Sequence, residues 1–358
     1  MNREPQSKNE PIEMKRLNYL SVYTLPCFVL ISLQLKGYAT FLTVAVFFGL
    51  VPLLELVIPP DPSNVERTQR LQERKKKVYV WILYLLVPVQ CGLLLYFFKN
   101  IGETPFLSIA YFGKICSMGI ACGVLGLNVG HELGHKNHRF VQFLGEVLLL
   151  SSLNTHFLPY HNAGHHHLVA TKEDPATARR NESVYAFWFR SHFKSYAMAW
   201  QLEFKRMKRL QQKNICLGNR MCCYTLWNIA LLCAVYFFFG GAVLWGFLGA
   251  AVFGILLLET VNYIEHYGLL RKIENERNER VNPSHSWNSD HPVGRLLLFN
   301  LSRHSDHHKN ARKNYQVLDS HPESPQMPTG YPGMMLLSLV PPLWFRYMNK
   351  RLKNSLEL

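Results

Sequence analysis

The sequence predicts an all-helical integral membrane protein: a six-helix bundle carrying a helical cap on one face. Three observations predict it. Six apolar runs of about twenty residues, each long enough to cross a bilayer, punctuate the 358-residue chain. Of its 39 Lys and Arg, all but Lys36, Lys99 and Lys114 fall in the polar segments on one side of a six-span topology, as the positive-inside rule asks of a cytoplasmic face. The sixteen histidines gather mainly in short clusters on that same side.

Residues 1–16, MNREPQSKNEPIEMKR, are polar and lack the small-residue cleavage site of a signal peptide, so the first apolar run, 17–35, is expected to stay as an anchor. It turns at Lys36-Gly37 into the second, 38–58. PPDPSN at 59–64 breaks the pattern, the basic run ERTQRLQERKKK follows, and 78–98 is the third span, with Pro88 as a potential kink. The fourth, 106–130, is dense in Gly113, Ser117, Gly119, Ala121, Gly123 and Gly126, which let helices approach closely. These four spans make one region, 1–130, and the last runs directly into the first histidine cluster.

Region 131–220 is polar, and its amphipathic stretches 140–153 and 191–212 read as helices at the interface, not spans. Runs 221–239 and 242–262 form a second hairpin about Gly240-Gly241. Region 263–358 returns to polar sequence; its one apolar stretch, MMLLSLVPPLWF, is too short to cross and holds Pro341-Pro342. Six spans place both termini and every histidine cluster on the basic side. Cations flanking spans argue for a membrane and against nucleic acid, despite a pI near 9.5. The eight cysteines, Cys27, Cys91, Cys116, Cys122, Cys216, Cys222, Cys223 and Cys233, form no CxxC pair and read as reduced, small hydrophobes.

The chemistry lies in the histidines. HELGHK places His131 and His135 four apart, HNAGHHH does the same for His161 and His165 and adds His166, and RHSDHH gives His304, His307 and His308. Side chains four apart share a helix face, so each box offers a pair able to grip one ion. NYIEHYGL sets His266 at the end of the sixth span. His131-Glu132-Leu133-Gly134-His135 is also HExxH, the zinc metalloprotease pattern in which Glu132 would act as general base. A zinc hydrolase needs three protein ligands and one open position; nine donors fit two ions better. His138, His192 and His321 read as ordinary surface histidines, while His156, His167, His285 and His291 remain open.

These strings resemble the histidine motifs of membrane alkane 1-monooxygenases, integral-membrane non-haem di-iron enzymes of the histidine-box superfamily that includes fatty acid desaturases. VATKEDPATARRNESVY, HSWNSDH and PTGYPG resemble further family segments in the same order, across nearly the whole chain, and NYIEHYGL separates the family from desaturases. The resemblance implies two iron ions held by His131, His135, His161, His165, His166, His266, His304, His307 and His308. It also implies O2-dependent terminal hydroxylation of medium- or long-chain n-alkanes drawn from the bilayer, with no catalytic residue required beyond the metal ligands. The related alternative is a fatty acid desaturase or hydroxylase.

One departure stands out: where the family commonly reads EHNxGHH, this chain has Tyr160 in place of the acid, and His167 follows the pair. A lost acid is expected to weaken iron binding or activity. Glu132, Glu265, Asp306 and Asp290 are placed to accept the spare ring N–H of a ligand, and Glu259, inside the sixth span, is a functional candidate or a partner for Lys114. The chain has no CxxC pair for a rubredoxin iron, no Gly-rich flavin fingerprint and no haem motif, so electrons must come from outside. The resemblance implies rubredoxin, with a flavin-dependent rubredoxin reductase behind it.

Overall fold

A computed structural model describes residues 17–274 and 277–356. The expected polar N-terminal stretch lies outside the described residues. The architecture is helical, apart from a two-residue antiparallel ladder pairing β1 (Ile273–Glu274) with β2 (Arg277–Asn278). Among the described residues, five helices are long and apolar enough to cross a membrane: Gly37–Val57, Lys77–Gly102, Ile109–Gly134, Arg220–Phe239 and Gly241–His266. The run expected as the first span is shorter, a 3-10 stretch Asn18–Tyr23 continuous with the α-helix Thr24–Gln34.

In chain order the helices are α1 (Thr24–Gln34), α2 (Gly37–Val57), α3 (Arg67–Lys75), α4 (Lys77–Gly102), α5 (Ile109–Gly134) and α6 (Arg139–Leu150). There follow α7 (157–168), α8 (Val184–Arg209), α9 (Arg220–Phe239), α10 (Gly241–His266), α11 (Pro292–Leu297), α12 (His304–Lys309), α13 (Tyr331–Ser338) and α14 (Pro341–Leu356). α4 runs unbroken through Pro88. The apolar runs continue past the expected ends of the fourth and sixth spans, so α5 carries His131 and α10 carries Glu265 and His266 inside their last turns.

Small residues set the packing of α5 on α10. A methyl group on Gly254 would lie 2.8 Å from Cys122 Cβ and 3.1 Å from the Gly119 carbonyl oxygen, so the two helices touch backbone to backbone. At the second hairpin Gly240 takes φ 87°, a conformation that favours glycine. The two helices carrying His131 and His266 are thereby fixed at one depth.

The polar segment after α10 is tied to the end of that helix by polar contacts rather than by oil alone. Trp287 is fully buried; its indole N–H donates to the Tyr267 carbonyl at 3.0 Å and its backbone N–H to the Glu265 carbonyl at 2.8 Å. Next to it, Asn288 holds Ser305 of α12 by two bonds, at 2.8 and 2.9 Å. HSWNSDH thus staples the end of α10 to the helix that carries the last three histidines.

Arg303, 2% exposed, precedes that helix. Its guanidinium donates to Asp290 at 3.1 Å, to the Asn64 side chain, and to the carbonyls of Asp61, Ser63 and Leu318. The PPDPSN breaker therefore packs around a buried cation. Asp290, expected beside a ligating histidine, instead faces Arg303 and the Ser320 hydroxyl at 2.6 Å. Arg303→Met leaves Asp290 buried without its cation and should cost about 3–5 kcal/mol, read as a lowered thermal midpoint in detergent.

Candidate metal centre

Nine histidines meet where α5, α7, α10 and α12 converge, and they divide into two groups. His131, His135, His161, His166 and His307 form one; His165, His266, His304 and His308 form the other. All nine expected ligands are present in these groups. Within the first, Nε2 atoms stand 2.9 Å apart for His131–His135, 3.1 Å for His131–His307, 3.0 Å for His161–His166 and 3.3 Å for His135–His166. In the second, His304 Nε2 is 3.1 Å from that of His266 and 2.8 Å from that of His308. Nitrogens sharing an ion at bonds of about 2.1 Å stand about 3 Å apart, so both groups have the spacing of a filled coordination shell.

Neighbours in sequence serve different groups. On α12, His304 and His308 are four apart and pair, while His307 points to the other group, its ring 5.7 Å from that of His308. α7 overturns a simple expectation: His161 pairs with His166, not with His165. The backbone over His161–His165 is a π-helical turn, whose i→i+5 bonding brings residues five apart onto one side. His165 is released toward the second group, and one short helix feeds both.

The groups are buried and adjacent, with His166 and His308 rings 4.7 Å apart. Burial, then crowding by neighbouring imidazoles, pushes His135, His161, His166, His304, His307 and His308 well below the ordinary histidine range. Neutral imidazoles leave lone pairs for a cation.

His165 shows which nitrogen faces inward. Its Nδ1 lies 2.9 Å from the Asp174 carboxylate, and its Nε2 is buried with no hydrogen-bond partner among the described residues. A carboxylate holding the distal ring nitrogen fixes the tautomer and turns the other nitrogen to a metal.

Asp174 was not among the expected residues; the available signal was its place in the EDPAT segment of the family-like strings. Tyr160 donates to it at 2.7 Å, as does the Thr177 hydroxyl. Burial alone would raise this carboxyl, but His165 and the hydrogen bond from Tyr160 hold it at about 2. Burial and the facing carboxylate push the Tyr160 phenol well above its usual range, so it remains a donor. The phenol at position 160 therefore joins the carboxylate system of His165 instead of abolishing it.

Of the acids expected beside ligands, Glu265 alone reaches one, and at its inward-facing nitrogen instead of the expected spare ring N–H, which is left buried without a partner among the described residues. Its Oε2 lies 3.2 Å from His304 Nε2, while the Tyr331 hydroxyl of PTGYPG donates to Oε1 at 2.8 Å. Glu132 pairs with Lys136 at 2.6 Å, and Asp306 is held by Lys313 and by His321 at 2.9 Å. Residues adjacent on a helix diverge by about 100°, so an acid beside a ligand in sequence points away from it. Glu132 turned toward Lys136 is not aimed at the imidazole groups, which removes the general base of the zinc-protease reading. Glu259 does not meet Lys114, which donates to Thr104 at 2.8 Å; it faces His192 and Asn262. His285 pairs with Glu279 and His291 with Ser289.

The fatty acid desaturase family model matches residues 106–338, a stretch containing all nine histidines. Over 361 residues the chain is 34% identical to alkane 1-monooxygenase 2 of Alcanivorax borkumensis, covering 97% of this chain and 93% of that protein. Alkane 1-monooxygenase 1 of Pseudomonas aeruginosa is 40% identical over 318 residues, 87% of this chain and 83% of the relative. The xylene/toluene monooxygenase hydroxylase component of Pseudomonas putida is 28% identical over 342 residues, 94% of this chain and 89% of its own.

Proposed function

The chain belongs to the fatty acid desaturase family and, within it, to the alkane 1-monooxygenases; from that premise we propose that it hydroxylates the terminal carbon of medium- and long-chain n-alkanes at a pair of non-haem irons. The observation that carries the reading is the division of nine imidazoles, seven of them buried and His135 and His166 partly so, into adjacent groups of five and four. Imidazole shells suit iron as well as zinc, copper and nickel, and O2-dependent hydroxylation calls for a redox metal among them. Bound iron would supply the redox power to activate O2 against an unreactive C–H bond, which no side chain here can do.

The protein's part is to hold, orient and exclude. The histidines stay neutral and convergent, Asp174 fixes the His165 tautomer, and Tyr331 fixes Glu265 beside His304. Burial of both groups keeps bulk water from the reacting carbon. The alkane enters from the bilayer between the spans.

Electrons come from a separate carrier, since the chain lacks the motifs to hold a redox group other than the histidine metals. The reading assigns this to rubredoxin, served by a flavin-dependent reductase, with the basic polar face as its dock. For topology it takes six spans, with the histidine cap and both termini on the cytoplasmic side of a bacterial inner membrane. The first arm supports this: six 3-10 residues and eleven α-helical ones rise about 28 Å, close to the hydrocarbon thickness. Regions 1–130, 131–220, 221–262 and 263–358 are then four spans, a histidine-box segment, a hairpin and a cap.

The test is direct. Detergent-purified protein supplied with rubredoxin, its reductase and O2 should carry about two irons per chain and convert octane to 1-octanol. An alkene, or an internal alcohol formed on a fatty acyl substrate, would instead make it a desaturase or acyl hydroxylase.

A further inference from the structure

A second polar cluster lies outside the imidazole groups. Glu259 of α10 is buried, with one carboxylate oxygen 3.9 Å from His192 Nδ1 on α8 and the other 3.5 Å from Asn262 Nδ2. The His156 ring, immediately before α7, meets His192 edge-on with centroids 5.1 Å apart. His192 Nδ1 is buried there with no hydrogen-bond partner among the described residues, and so are Asn154 Oδ1, two residues before His156 in the chain, and Asn228 Oδ1 of α9. Asn228 donates to the Thr155 hydroxyl, next to His156 in sequence, at 3.1 Å.

The spacing and the unpartnered atoms point to water. At 3.9 Å Glu259 and His192 are too far apart for a direct hydrogen bond, and buried polar atoms that lack protein partners are where internal waters bind. An ionisable side chain inside a span is costly and marks a path for ions or protons. The position fits a path. Glu259, Asn262 and His266 share one face of α10 at i, i+3 and i+7, so Glu259 lies about 10 Å along the helix from a metal-site histidine. On α7, Tyr160 is one turn beyond His156. The His192 side chain is 28% exposed. The cluster therefore lies between a partly exposed side chain of α8 and the end of α10 that carries His266.

We propose that His192, Glu259 and His156, with water held among Asn154, Asn228 and Asn262, form a proton relay serving the metal centre. The proposal rests on the monooxygenase reading, whose balance is RH + O2 + 2e⁻ + 2H⁺ → ROH + H2O, with the electrons from a one-electron carrier protein. A proton taken up by His192 passes to the Glu259 carboxylate and on through the pocket to the oxygen atom that leaves as water. Each relay group then returns to its starting protonation. The titratable and charged groups facing Glu259 are His192 and Arg190 from α8, His156 and Tyr160 from the α7 segment, and Asp174.

The experiment compares the parent protein with Glu259→Gln, Glu259→Asp and His192→Gln. Turnover of Glu259→Gln should fall tenfold or more, with metal content and alkane KM unchanged and a larger solvent deuterium isotope effect on kcat. Glu259→Asp should recover most of the rate. Independently of turnover, the infrared difference spectrum between acidic and alkaline buffer should contain a carboxyl band that Glu259→Gln removes and His192→Gln shifts. Turnover within twofold of the parent with an unchanged isotope effect would overturn the relay; so would metal loss parallel to rate loss, which makes Glu259 a packing residue. If the metal-loaded parent forms no alcohol, the hydroxylase reading fails instead. The infrared band and its response to His192→Gln then decide the proton exchange alone.

Discussion

His308→Ala should lower the metal content of the purified protein from about two ions per chain to about one and abolish alcohol formation. The second group would keep His165, His266 and His304, but His308 Nε2 stands 2.8 Å from that of His304 and its ring packs against those of His165, His166 and His266. Removing it opens a hole on the side facing the first group, whose five imidazoles remain. Mass spectrometry of metals on the parent and the variant in parallel checks this. A single zinc per chain, indifferent to His308, would sink the two-metal reading and return attention to His131 and His135. Glu132→Gln serves as the control: with Glu132 held by Lys136, metal content should not change.

The second large effect is expected at a residue that is not a ligand. Asp174→Asn should weaken metal binding about tenfold to a hundredfold, since partners of ligating histidines carry effects of that size. The amide keeps the shape but lacks the charge that now holds His165, Tyr160 and Thr177 together. Tyr160→Phe removes one of those bonds, made to a charged acceptor, and should cost about 1.5 kcal/mol, read as a fall in metal affinity. Competitive titration against a chelator measures both. Equal affinity in Asp174→Asn and parent would mean that His165 is oriented by packing alone.

The contacts these variants probe also add to the reading of position 160. The phenol there looked like a lost acid because sequence shows which residue replaced which, not which other residue took over its partner. Asp174 lies fourteen residues on, past a turn whose course no periodicity announces, yet it accepts from both Tyr160 and His165.

The sequence by itself determined the material of the fold and which histidines gather. Apolar runs must be helical in lipid because their backbone polar groups have no other partner, and histidines repeated at helical spacing read as donors wherever the helices lie. It also determined the His131–His135 and His304–His308 pairs, which lie four apart on ordinary helical turns. Tertiary structure alone decided the rest. The π-turn at His161–His165 exchanged the expected partner of His161 for His166, and its extra residue per turn is a small backbone difference that no side-chain pattern encodes. Which acids serve the histidines was decided by direction. Glu132 and Asp306 sit beside ligands in sequence but point elsewhere, while Asp174 and Glu265 reach histidines on the strength of loop course and helix crossing. Contact chemistry depends on where side chains end, and that is set by the packing of elements far apart in the chain.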